Sequence, residues 1–139
     1  MKKFEFVDIT TADVAFDAYG KDLNELFANS ALAMFEVMVN TDHIKQRVEK
    51  DVEINGNDLE SLMFNWLNEL LIHYGAENLA FSKFEVKVDE KKTELKAKIY
   101  GERINPKKHE TRTEVKACTM HEMKIEKNEF WKARVLLDI

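Results

Sequence analysis

Apolar and polar residues alternate at both ends of the chain, and a helical spacing takes over between them. Phe4 and Phe6 alternate with lysine and glutamate from Lys2 to Val7, the period of a short strand. Small polar residues interrupt the pattern from Asp8 to Thr11. It resumes around Val14, Phe16 and Ala18 over Asp13 to Tyr19, and Gly20 ends it. Asp22 and Glu25 then have the spacing of a capping box. Beyond them Leu23, Leu26, Phe27, Ser30, Ala31, Met34, Phe35 and Met38 recur at helical intervals, predicting an amphipathic helix over 22–39. A strand over 46–54 should end at the Asn55-Gly56 turn. A second helix follows, with Asn57 as N-cap, Glu60 as its N3 partner and Gly75 as C-cap glycine. Its apolar stripe is Leu59, Leu62, Met63, Trp66, Leu67, Leu70, Leu71 and Tyr74.

The remainder reads as strands. Phe84, Val86 and Val88 pair through a turn at Asp89 to Lys92 with a return strand through Leu95, Ala97 and Ile99. Gly101 to Glu110 is the least periodic stretch and holds the sole proline, Pro106. Thr113, Val115 and Ala117 restore alternation, with Met123 and Ile125 continuing it. In the closing run WKARVLLDI, Trp131, Ala133, Val135 and Leu137 alternate with Lys132, Arg134, Leu136 and Asp138. The order ββαβαββββ predicts an α+β fold, with two amphipathic helices packed on a mostly antiparallel or mixed sheet. At 139 residues this is expected to be one domain.

Composition narrows the functional classes. The net charge of -5 argues against nucleic-acid binding through a broad basic face, though it leaves room for a local basic patch. Cys118 is the only cysteine, so it has no disulfide partner within the chain and reads as a packed thiol. The N-terminal MKKFEFVDI lacks the apolar core of a signal peptide, and no stretch suits a membrane span, so a cytoplasmic location is expected. Phosphate-loop, dinucleotide, zinc and serine-elbow motifs are all missing.

Carboxylates near strand ends are what remain. Asp8 and Asp13 bracket the loop ITTA, Asp17 follows, and Asp138 stands beside the main-chain carboxylate of Ile139. If the first and last strands are neighbours, Asp13, Asp138 and the Ile139 carboxylate converge as hard oxygen donors suited to calcium, magnesium or manganese. Isolated aspartates at strand ends more often cap turns. Lys116 reads as a solvated lysine able to meet a phosphate or a partner's carboxylate. His109, beside Lys107 and Lys108, reads as a surface loop residue, with an anion contact as the functional alternative.

Several segments together resemble the archease family: FEFVDITTADVAFDAYGKDLNELFANSALAMF, DLESLMFNWLNELLIHYGAENLAFSKFEV, GERINPKKHETRTEVKACTMHEMKIE and WKARVLLDI. They cover nearly the whole chain in the right order. The resemblance implies a non-catalytic protein that activates an RtcB-type RNA ligase in tRNA splicing and RNA repair. Such a factor promotes guanylylation of the ligase with GTP and allows multiple turnover; the ligase itself is manganese-dependent. It also implies a divalent metal, calcium or manganese, near the C-terminus. The family's metal ligands fall on Asp13, Asp138 and the Ile139 carboxylate, and its motif lysine on Lys116. Thr10 stands where the family's histidine precedes TAD, replacing an imidazole with a neutral hydroxyl. The alternative role is that of a chaperone or specificity modulator for a tRNA-modifying enzyme such as a tRNA methyltransferase, with any RNA contact indirect.

Overall fold

The computed structural model describes residues 1–139. Its elements follow the expected order: β1 (Phe4–Ile9), β2 (Asp13–Gly20), α1 (Leu23–Met38), β3 (Val48–Asn55), α2 (Leu59–Glu77), β4 (Leu79–Asp89), β5 (Glu94–Arg103), β6 (Ala117–Lys127) and β7 (Trp131–Asp138), with a short 3-10 turn at Thr41–His43. The fold is α+β. Its strands form two sheets rather than one, ordered β1-β2-β7-β6 and β3-β5-β4, and every pairing is antiparallel. Sequence periodicity reports which residues of a strand are buried, but not which sheet the strand joins.

The helices connect the two sheets. α1 packs on β2 of the first and β4 of the second, and buries residues around most of its circumference, including Leu26, Phe27, Ala31, Met34 and Phe35. A helix enclosed between two layers needs this broad apolar surface. α2 buries a narrower stripe of Leu62, Met63, Trp66, Leu67 and Leu70, and packs mainly against β6. The Trp66 indole donates to the Phe27 carbonyl at 3.0 Å, joining the helices through a buried polar bond. One cluster of 33 buried residues takes side chains from both sheets and both helices. Met34, Met38 and Met63 are fully enclosed in it.

The helix ends explain where the sequence reading was displaced. Asp22 accepts from the Glu25 N–H, as its spacing implied, but the Glu25 carboxylate turns back to the Lys21 N–H. Asp58, not Asn57, caps α2, and its reciprocal partner is Ser61, not Glu60. Both pairs share the i, i+3 spacing, so composition alone did not separate them. α2 also runs past Gly75 to Glu77, and Asn78 ends it in the left-handed conformation, φ 58°. Gly75 has nothing within 4 Å of its absent Cβ, so its position carries no steric demand for glycine. Gly101 is different: a Cβ there would lie 1.8 Å from the Ala80 carbonyl oxygen of the neighbouring strand. Only glycine permits that approach of β4 to β5.

Residues 104–116 form a strap between β5 and β6 instead of resuming a strand at Thr113. The strap is tied to the end of α1, where helix carbonyls lack partners. The Arg112 N–H reaches Met38 O at 2.7 Å and the Thr113 N–H reaches Val37 O at 3.0 Å. The Arg112 guanidinium adds Glu36 O at 2.9 Å. Val115 is buried and alternation survives there, but the Arg112 and Thr113 N–H groups go to a helix end, and only at Lys116 does the chain bond to a strand.

Candidate functional site

Pairing of β2 with β7 places Asp13 directly opposite Asp138. The neighbour of the last strand is thus the second strand, not the first. In antiparallel register, same-face partners lie about 5 Å apart, so two carboxylates share one end of the sheet. β6 extends the row, with Ala117 opposite Asp138 on its other side. Lys116 immediately precedes β6, and its N–H donates to the Asp138 carbonyl at 2.8 Å. The Ile139 N–H donates to the Ala12 carbonyl at 3.0 Å, tying the last residue to the loop that carries Asp13. Asp13, Asp138, Lys116 and Ile139 therefore meet at one tip, although the sequence separates them widely. Asp138 and Lys116 are exposed, while Asp13 and Ile139 are half-buried.

Thr10 has a defined job at this tip. Its Oγ1 accepts from the N–H groups of Ala12 at 3.1 Å and Asp13 at 3.0 Å, and its own N–H reaches Asp13 O at 2.8 Å. A hydroxyl has two acceptor lone pairs, and both are occupied here. Thr10 shapes the turn that presents Asp13. It leaves no oxygen for a cation.

The donor set passes one test of fit for a divalent ion and meets one limit. The Asp13 and Asp138 side-chain carboxylates, with the expected main-chain carboxylate of Ile139, are hard oxygen donors, the kind calcium and manganese take. No group of three or more His, Cys, Asp or Glu side chains in the chain is arranged to hold a metal ion. Any ion at this tip would complete its shell with water or with groups of a second molecule.

Below the tip, the same register puts Asp17 opposite Arg134 and Tyr19 opposite Lys132. Asp17 is 2 % exposed, no rim residue but a carboxylate enclosed on the sheet's outer face. The Arg134 guanidinium grips it with two donors, Nε to Oδ1 and Nη2 to Oδ2 at 3.0 Å, and Lys132 stands 3.6 Å away. The Tyr19 hydroxyl donates to Glu5 at 2.7 Å. Burial, and then that acidic partner, push the phenol up to about 12. The signal for the Asp17–Arg134 pair was present in the sequence. Asp17 lies four residues after Asp13 and Arg134 four before Asp138, so pairing one couple in antiparallel register pairs the other.

His109 departs from expectation. It is 4 % exposed, its Nε2 3.0 Å from Glu102 Oε2, while its Nδ1 accepts the Asn105 N–H at 2.9 Å. Glu102 is itself buried and also accepts the Lys45 N–H at 2.7 Å and the Lys108 ammonium at 3.3 Å. Burial opposes its ionisation, but the Lys45 N–H, His109 and Lys108 outweigh it and hold the carboxyl at about 2. His109 is an anchor of the strap, which its lysine-rich neighbourhood concealed. Cys118 is buried as expected, and burial pushes its thiol up to about 12. Asn68 on α2 serves the free edge of β6 there, donating to Cys118 O at 3.1 Å and accepting from Cys118 N–H at 3.0 Å.

No helix is long and apolar enough to cross a membrane. A model of the Archease protein family matches residues 4–139. The chain is 47% identical to Protein archease of Sulfurisphaera tokodaii over 140 residues, covering 100% of both chains. It is 49% identical to Protein archease of Methanothermobacter thermautotrophicus over 142 residues, again covering 100% of both. The solution structure of Methanobacterium thermoautotrophicum protein 1598 superposes with a TM-score of 0.86 at 49% identity, covering 100% of each chain. With a family match over nearly its whole length and relatives this similar along all of it, the chain belongs to the archease family.

Proposed function

We propose that this protein is a non-catalytic activator of an RtcB-type RNA ligase, promoting guanylylation of the ligase with GTP and repeated turnover in tRNA splicing and RNA repair. One observation supports the reading above others: Asp13 and Asp138 are paired across β2 and β7, with Lys116 and Ile139 at the same tip. The tip projects two carboxylates and a cation without an enclosing pocket. That geometry suits insertion toward a second protein's metal and phosphate groups better than turnover of a small substrate. Asp13, Asp138 and the Ile139 carboxylate would hold a calcium or manganese ion, which supplies positive charge to draw phosphate oxygens into place. Lys116 would contact a phosphate or an acidic group of the ligase. Thr10 keeps the Asp13 turn in shape.

The test combines this protein with the RtcB-type ligase of the same organism, GTP and manganese, and counts joined RNA ends per ligase molecule. Activation should raise the count from about one to many, since a factor that renews guanylylation releases the ligase from a single round. Asp13→Ala and Asp138→Ala should each abolish the rise while melting within a few degrees of the parent. Calorimetric titration of manganese and calcium into the isolated protein provides a separate readout of the carboxylate pair. Undiminished activation by both variants at subsaturating protein would sink the proposal. Absence of any rise with an active ligase would instead favour action on a tRNA methyltransferase.

A further inference from the structure

The strap carries a feature unused by the tip. Residues 44–48 and 103–109 bring together the cations Lys45, Arg47, Arg103, Lys107 and Lys108 and contain no carboxylate. They flank an open cleft of about 470 Å³ between the start of β3, the end of β5 and the strap. The only carboxylate lining it is Glu102, whose side chain is 7 % exposed and already engaged by the Lys45 N–H and His109. Arg47, 60 % exposed, and Lys108, 42 % exposed, lie 3.5 and 3.3 Å from one oxygen of that single anion. The charge within the cleft is therefore positive on a protein whose overall charge is -5. A local excess of this kind attracts anions, and a bound anion relieves the repulsion among the cations.

We infer that this cleft is a contact site for the phosphate backbone of single-stranded RNA, separate from the carboxylate tip. The lining decides between anionic partners. Protein interfaces draw their affinity from an apolar, usually aromatic centre. This cleft's apolar lining is only Ile104 and Pro106, and its one ring, the His109 imidazole, is buried and held by Glu102 and the Asn105 N–H. It equally lacks a stacking surface for a base, so it reads charge and not sequence. Phosphate contacts ask only for cations and polar donors, and Arg47 and Arg103 present forked guanidinium groups suited to phosphate oxygens. The inference rests on the cleft alone and stands or falls independently of ligase activation.

Fluorescence anisotropy of a labelled single-stranded RNA, titrated with the isolated full-length protein, tests it. Three phosphate contacts on a single strand predict a log–log salt slope of about -2, or roughly a 20-fold loss of affinity from about 50 to about 200 mM salt. Arg103 and Lys107 are the residues to change, because Arg47 and Lys108 also serve buried Glu102. Arg103→Glu combined with Lys107→Glu should weaken binding at least tenfold at low salt. Lys91→Glu combined with Lys92→Glu, the same charge change at the β4–β5 turn, should shift it by less than threefold. No binding at low salt, equal losses in the two double variants, or tighter binding of a polyglutamate peptide than of RNA would each overturn the inference. Melting curves for both double variants ensure that loss of binding is read on folded protein.

Discussion

Glu102 shows how much one side chain organises. Its carboxylate, enclosed beside β5, receives the Lys45 N–H, His109 and Lys108, and so joins the segment before β3 to the strap after β5. Its carboxyl is held at about 2 against an ordinary 4.5, a depressed value, so its contribution is fully present above 4.5 and fades as the pH falls toward 2. Glu102→Gln should therefore lower the urea midpoint near neutral pH, and the gap to the parent should narrow at about pH 3. A constant gap would show that the carboxylate's charge is not what matters. Thr10 makes a related point. Read as a sequence, it is a ligand exchanged for a weaker one; in the structure its hydroxyl oxygen is spent on two backbone N–H groups. Which lone pairs remain free is a matter of backbone conformation, and a residue name does not disclose it.

Among the elements, β2 and β7 define the site through their register. The outer face of this strand pair reads Asp13 with Asp138, Ala15 with Leu136, Asp17 with Arg134 and Tyr19 with Lys132. A slip of one residue would turn every one of these side chains to the other face. The bidentate Asp17–Arg134 bond penalises such a slip, because it would leave a buried carboxylate without its cation. Arg134→Gln should cost roughly 2 to 3 kcal/mol in urea unfolding, less than for a fully buried pair, since the Arg134 side chain is 40 % exposed and Lys132 stays 3.6 Å from Asp17. Changing both members, Asp17→Asn with Arg134→Gln, should recover part of the loss; an additive penalty would deny the coupling. These strands were legible because alternation is strong in both, and the convergence of Asp13 with Asp138 was legible once they were allowed to be neighbours. Capping was less so, because Asn57, Asp58, Glu60 and Ser61 offer competing pairs at the same spacing.

At the scale of the molecule, two sheets share one core with helices between and beside them. The division into sheets was hidden because a strand's own residues record which face is buried, not which strand lies alongside. The strap was hidden for a similar reason: Val115 is buried as a strand residue would be, yet the Arg112 and Thr113 N–H groups before it cap α1. His109 looked like a surface residue because its basic neighbours are on the surface, while its own ring turns inward. Cys118 reports on the integrity of this arrangement. With its thiol buried and pushed up to about 12, labelling by a thiol reagent at neutral pH should proceed at the rate of global unfolding and accelerate with urea. Fast labelling that urea does not change would reveal local opening of β6 away from α2.

The pairing of β2 with β7 also has a meaning in time. β7 is the last element of the chain, and its partner is among the first. A nascent polypeptide that has left the ribosome only as far as β6 carries Asp13 on an edge with nothing opposite it, and Lys116 without the carbonyl that anchors its N–H. Long-range closure of this sort is slow and comes late. The two carboxylates thus come together only when β7 docks on β2, so their juxtaposition marks the closing of the longest-range pairing in the fold.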